Sequence, residues 1–172
     1  MSVSMEEKME LRYILDVVYG KGGSKPLKLD IIKKSKMSKK PAPVIVWIHG
    51  GAWMAGDKYS DIPKLIELVK SGYFCVSIEY RLSQEAIFPA QIEDCKCAIR
   101  FLHAKAKQYN INPDKIGAWG ASAGGHLVAL LGTAGDVKEF EGNGGWKNFS
   151  SKVQAVCDWF GPTDFLQIDG KG

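Results

Sequence analysis

No apolar run in this 172-residue chain is long enough to cross a membrane. The opening residues, Met1 to Lys8, lack the apolar core of a secretory leader. No membrane partner is expected, and the expected compartment is the cytoplasm, with secretion kept for the case in which a leader has been removed. Cysteine is sparse and unpatterned: Cys75, Cys95, Cys97 and Cys157 form no staple framework. Cys95 and Cys97 lack the second pair of ligands that a zinc site needs. Reduced, mostly buried thiols follow, and neither a metal nor a cofactor is expected. Positive charge is modest at +4, and its lysines, clustered between Lys21 and Lys40, read as solvated loop and strand edge. Nucleic acid is therefore not an expected partner. There is no internal repeat and no low-complexity linker. What remains, 45% hydrophobic and 24% charged, is ordinary globular material with enough apolar content for one core. Residues 1–172 read as a single domain.

Two glycine-rich stretches stand out. The first is Gly120-Ala121-Ser122-Ala123-Gly124, a G-x-S-x-G pattern. It follows a short apolar run, Lys115 to Trp119, and opens into a helix-like run, His126 to Leu131. A serine hydroxyl is a poor nucleophile unless it is held exposed beside a base. A strand, a sharp turn and a helix supply that exposure, and flanking glycines remove side-chain clashes from the turn. Alone, the pattern fits equally well a small-residue turn with Ser122 as an ordinary N-cap.

The second stretch is His49-Gly50-Gly51-Ala52-Trp53, closing the apolar run Pro43 to Ile48. Acyl transfer passes through a tetrahedral oxyanion, which needs backbone N–H donors aimed from a fixed loop. Glycine-rich turns at a strand end can offer them. An H-G-G loop after one strand and a G-x-S-x-G elbow after a later one decide for the nucleophile reading of Ser122.

With these motifs the chain resembles an α/β-hydrolase of the hormone-sensitive-lipase-like group, nearest its acetylxylan- and feruloyl-esterase-type members. The matching residues run through most of the chain: Ile48 to Trp53, Gly56-Asp57, Ile78 to Ser83, Phe88 to Asp94, Trp119 to Leu127 and Asp158 to Asp164. The resemblance implies a serine-dependent carboxylic ester hydrolase acting on small acyl esters, such as acetyl or feruloyl esters of plant polysaccharide. Ser122 would be the nucleophile. The N–H groups of Gly51, Ala52 and Ala123 would form the oxyanion hole, with His49 and Gly50 supporting that loop. Trp53 and Tyr80 are candidate substrate-pocket residues. Arg81 and Asp94 read as a structural ion pair beneath the site.

Hydropathy periodicity gives the order of elements. Leu11–Tyr19 and Leu27–Ile32 read as strands joined by a Gly20–Ser24 turn. Val44–Ile48, Tyr73–Tyr80, Ile116–Trp119 and Val153–Phe160 are further strands. Ile62, Leu65, Ile66 and Val69 follow helical spacing up to a C-cap at Gly72. Pro89–Tyr109 reads as one long helix, apolar along Ile92, Cys95, Ile99, Leu102 and Ala106, with Lys96, Arg100, His103 and Lys107 on a solvent face. Gly132–Ser151 reads as a surface loop, and Asp158 as interior. Alternating strands and helices imply an α/β fold, a mostly parallel sheet with helices on both faces.

A serine esterase also needs a histidine to accept the serine proton and an acid to orient it. After Ser122 the chain offers only His126. At i+4 on a helix its ring lies one turn further along the same side, so a buried, hydrogen-bonded histidine is the expectation. The resemblance places acid and base beyond two further strands. The sequence therefore reads as the N-terminal part of a longer esterase, its C-terminal strands missing. On that reading Val153–Phe160 is a bare sheet edge, open to a second copy or to a C-terminal fragment. The alternative is a catalytically inactive, truncated scaffold acting as a binding module.

Overall fold

In a computed structural model the described residues run from Glu10 to Ile168; the N-terminal stretch read for a leader and the last four residues lie outside them. The order is β1 (Leu11–Gly22), β2 (Lys25–Lys34), β3 (Ala42–Ile48), α1 (Ile62–Lys70), β4 (Phe74–Ile78), α2 (Ala90–Ala104), α3 (Ala106–Tyr109), β5 (Ile111–Ala121), α4 (Ala123–Thr133), a short 3₁₀ turn (Lys138–Phe140) and β6 (Ala155–Trp159).

The strands build one sheet in the order β1-β2-β4-β3-β5-β6. β1 and β2 form an antiparallel hairpin, and β2 pairs antiparallel with β4. From β4 through β3 and β5 to β6 the pairing is parallel. The near-continuous hydrophobicity of β3 and β4 follows from cover on both faces. Val44, Val46 and Ile48 belong to the larger core shared with α2 and α4. Trp47 and Cys75 face the other way, against Leu65 and Val69 of α1. Burying Leu65 and Val69, each fully enclosed, contributes roughly 1.5–3 kcal/mol apiece. α1 stops where expected. Gly72 has φ +99°, its N–H donates to Val69 O, and the Tyr73 N–H reaches back to Leu68 O at 3.1 Å.

Four expectations need correction. The long helix is two: Lys105 leaves helical geometry at φ −100°, ψ 7°. The extra turn lets Tyr109 pack on Phe74 and Phe101. The solvent face of α2 is also partly interior, because Lys96 is 0% and Arg100 2% exposed. Both are held by Glu141, from the 132–151 segment that read as a plain surface loop. That segment is further tied down by Trp146, whose Nε1–H donates to Tyr19 O at 2.7 Å. Asp158, expected inside, is exposed on β6. Its Oδ1 accepts the Gly161 N–H at 2.8 Å, a turn contact that needs no burial. Cys157 is exposed as well, whereas Cys75, Cys95 and Cys97 are buried. Burial pushes the Cys75 thiol up to about 12, which leaves it inert at neutral pH.

Candidate active site

Ser122 sits at the junction of β5 and α4 with φ +54° and ψ −122°, a sparsely populated conformation for a residue with a side chain. Its N–H donates to Trp159 O of β6 at 2.9 Å, and its carbonyl accepts the His126 N–H at 3.0 Å. The surroundings hold the strain in place. A Cβ on Gly124 would stand 2.0 Å from Ile48 O and 2.7 Å from His49 O. Only glycine lets the start of α4 press against the end of β3 this closely.

That contact brings the second motif to the first. A Cβ on Gly50 would lie 2.8 Å from Ala121 O and 3.3 Å from Ser122 Cβ. Beyond Gly50 the loop turns through three consecutive positive φ values, at Gly51 (112°), Ala52 (52°) and Trp53 (58°). Gly51 O accepts the N–H groups of Met54 and Ala55, both at 2.9 Å, while Trp53 O accepts from Ser83 N–H. The N–H groups of Gly51, Ala52 and Ala123 have no backbone partner among the described residues.

His49 is buried at the root of the loop. Its ring stacks on Tyr80 with centroids 4.3 Å apart. Nδ1 lies 2.7 Å from Gly50 O. A carbonyl only accepts, so Nδ1 carries the hydrogen. Burial lowers the His49 pKa, outweighing the opposite pull of the Gly50 carbonyl and of Asp57 and Asp61. A neutral ring that donates to the next carbonyl is a brace for the loop. Tyr80 completes it: it is 3% exposed, and its hydroxyl donates to His49 O at 3.0 Å. Tyr80 and His49 also line a cavity of about 430 Å³ on the β2–β4 side, to which Ser122 does not contribute. Trp53, the other candidate pocket residue, is elsewhere.

Trp53 meets His126 edge-on at 5.3 Å and Phe165 at 5.6 Å, and His126 meets Phe165 at 5.1 Å. This aromatic trio stands one helical turn beyond Ser122. Sequence reasoning missed Phe165, which lies in no periodic element and carries no local signal. Burial lowers the His126 pKa against the pull of Asp158. Neither His126 nor His49 hydrogen-bonds the Ser122 hydroxyl.

Below the loop, Arg81 grips Asp94. Nη2 reaches Oδ1 at 2.7 Å, Nε reaches Oδ2 at 2.8 Å, and the Arg81 N–H donates to Oδ2 at 2.9 Å. Asp94 raises the Arg81 pKa through these bonds. The pair pins the segment after β4, and with it Tyr80, to the start of α2.

Comparison with known proteins bears on the family and the fold. The sequence model of the BD-FAE family matches residues 29–172. Esterase LipQ of Mycobacterium tuberculosis is 34% identical over 156 residues, 90% of this chain and 36% of LipQ. The chain thus spans about a third of the length of that curated relative. Among solved structures, a bifunctional GH43-CE protein of Bacteroides eggerthii superposes with a TM-score of 0.83 at 38% identity, over 91% of this chain and 24% of its own. A truncated form of a carbohydrate esterase from gut microbiota gives 0.79 at 37% identity, over 92% of this chain and 59% of its own.

Proposed function

Because the chain belongs to the BD-FAE family of α/β-hydrolases, we propose that it carries the nucleophile and oxyanion loop of a carboxylic ester hydrolase, within a single domain. Ser122 attacks the ester carbonyl, the alcohol leaves, and water hydrolyses the acyl-serine. The N–H groups of Gly51, Ala52 and Ala123 receive the oxyanion, and His49 and Gly50 hold that loop in place. The observation that carries this reading is the abutment of Gly50 on Ser122 Cβ. It sets a strained serine beside a loop in which the Gly51 and Ala52 N–H groups have no backbone partner among the described residues.

Among the described residues no histidine is hydrogen-bonded to Ser122 as its base. His49 is engaged with Gly50, and the His126 ring packs between Trp53 and Phe165. Trp53, His126 and Phe165 form the wall against which the acyl or alcohol group rests. The substrate class we assign is small acyl esters of polysaccharide, acetyl or feruloyl; a carbohydrate esterase among the structural neighbours supports the carbohydrate part of that assignment. The test is hydrolysis of p-nitrophenyl acetate by the intact protein and by its Ser122→Ala variant. The variant should lose at least about a thousandfold in kcat; retained turnover would refute the assignment.

A second reading, a binding module without turnover, is favoured by the absence of any histidine hydrogen-bonded to Ser122 among the described residues. It predicts saturable binding of an ester with no acyl transfer to Ser122.

A further inference from the structure

Far from Ser122, two buried cations share one carboxylate. Lys96 Nζ lies 2.8 Å from Glu141 Oε1, and Arg100 Nη1 bonds Glu141 Oε2. Ser151 donates its hydroxyl to the same carboxylate at 2.6 Å. Lys96 Nζ also donates to Ala134 O at 2.7 Å, and Arg100 Nε to Gly145 O at 3.0 Å. Those carbonyls satisfy hydrogens but bring no net charge. Arg100 Nη2, though buried, finds no acceptor among the described residues. A buried cation without full compensation is costly, and so is a buried N–H without a partner.

Beside this cluster opens a cavity of about 400 Å³, lined by Arg100, Lys138, Lys147, Ser150, Ser151 and Lys152 among others. Among the described residues Lys147 is engaged only with the neutral Asn143 side chain, at 2.7 Å. Lys138 makes no ion pair among the described residues. Lys152 is the exception, paired with the exposed Asp136 at 2.6 Å. Glu141 is the acidic residue of the lining, and its charge is already taken up by Lys96 and Arg100. The cavity is therefore basic and rich in donors.

We infer that this cavity, between α2 and the segment after α4, is a binding site for a small oxyanion, a carboxylate or a phosphate. Nε and Nη1 of Arg100 are already engaged, which leaves Nη2 as the one guanidinium donor for such a group, and the lysines add charge without geometric demand. The site lies at the C-terminal end of α4, whereas Ser122 caps its N-terminus, about 16 Å away along the helix. It is thus separate from the ester site and does not rest on the hydrolase reading.

The test is isothermal titration of the full chain at low ionic strength with inorganic phosphate and, separately, with sodium glucuronate. Sodium chloride serves as the ionic-strength control. The Lys138→Gln/Lys147→Gln double variant changes exposed residues only, so its fold should be retained, which its thermal melt checks. The expected result is saturable one-to-one binding of at least one anion, weakened about tenfold or more in the double variant. Binding of phosphate alone assigns a phosphate ligand; binding of glucuronate alone assigns a sugar carboxylate. No saturable heat with either anion, or equal affinity in the double variant, would overturn the inference. Reactivity of Ser122 in the double variant should match the parent, so the two readings fail separately.

Discussion

Gly50 lies so close to Ser122 that a methyl group placed on it would stand 3.3 Å from the serine Cβ and 2.8 Å from the carbonyl oxygen of Ala121. Neither neighbour is a flexible side-chain tip. Replacement of Gly50 by alanine should therefore push the loop and elbow apart. The expected outcome is a fall of about ten- to a hundredfold in kcat for p-nitrophenyl acetate in the intact protein, since displacements near 1 Å cost this much in an oriented site. Steady-state kinetics check it. An unchanged kcat would separate the loop from the chemistry.

Tyr80→Phe removes one hydroxyl and leaves the buried His49 carbonyl without its 3.0 Å donor. An unpaired buried acceptor costs about 1–3 kcal/mol. A lower melting temperature is expected, together with slower acylation of Ser122, because the brace under the proposed oxyanion loop is loosened. A pocket-wall role for Tyr80 would instead raise KM and spare kcat.

Glu141 anchors Lys96, Arg100 and Ser151 at once. Burial pushes its pKa up, but the bonds from Lys96 and Ser151 and the charges of Lys96 and Arg100 prevail, so the net shift is downward from 4.5. A depressed carboxylate contributes stability that is complete above its unfolded pKa and lost as pH falls through the folded one. Glu141→Gln should destabilise the protein by about 3 kcal/mol, the low end for a broken buried pair, because the Glu141 side chain is 34% exposed. Its melting temperature should also depend less on pH below about 4.5 than that of the parent. Thermal melts across acidic pH check both.

Burial lowers the pKa of both His49 and His126 from the usual 6.5. Between that value and the lowered ones the unfolded chain binds protons that the native protein refuses. Stability should then fall as pH drops below about 6.5 and level off beneath the native pKa values. Imidazole titration by NMR should show both rings protonating late. A normal or raised pKa at either would contradict the buried placement.

How much of this was legible in the sequence depends on the reach of each contact. β3 with its glycine loop, and β5 with Ser122 and α4, could be read because strand, turn and helix are adjacent in the chain. Each glycine there answers to a local clash. Lys96 and Arg100 could not be read as buried, because their partner Glu141 lies more than forty residues on, in a segment that looks like loop. Lys58 is similar. It follows a glycine and an aspartate, yet its side chain is fully enclosed between Asp16, Asp30 and Glu79 from three different strand regions. Phe165 was invisible for a different reason, since it reaches Trp53 and His126 from irregular backbone with no periodicity to betray it.

The central claim is that Ser122 is an activated nucleophile, and covalent labelling tests it most directly. The intact protein and its Ser122→Ala variant would be treated with a fluorophosphonate, and the adduct counted by denaturing intact mass and located by peptide mapping. One adduct per chain, on the peptide holding Ser122 and missing from the variant, is the predicted result. No adduct, or an adduct that survives in the Ser122→Ala variant, would contradict it.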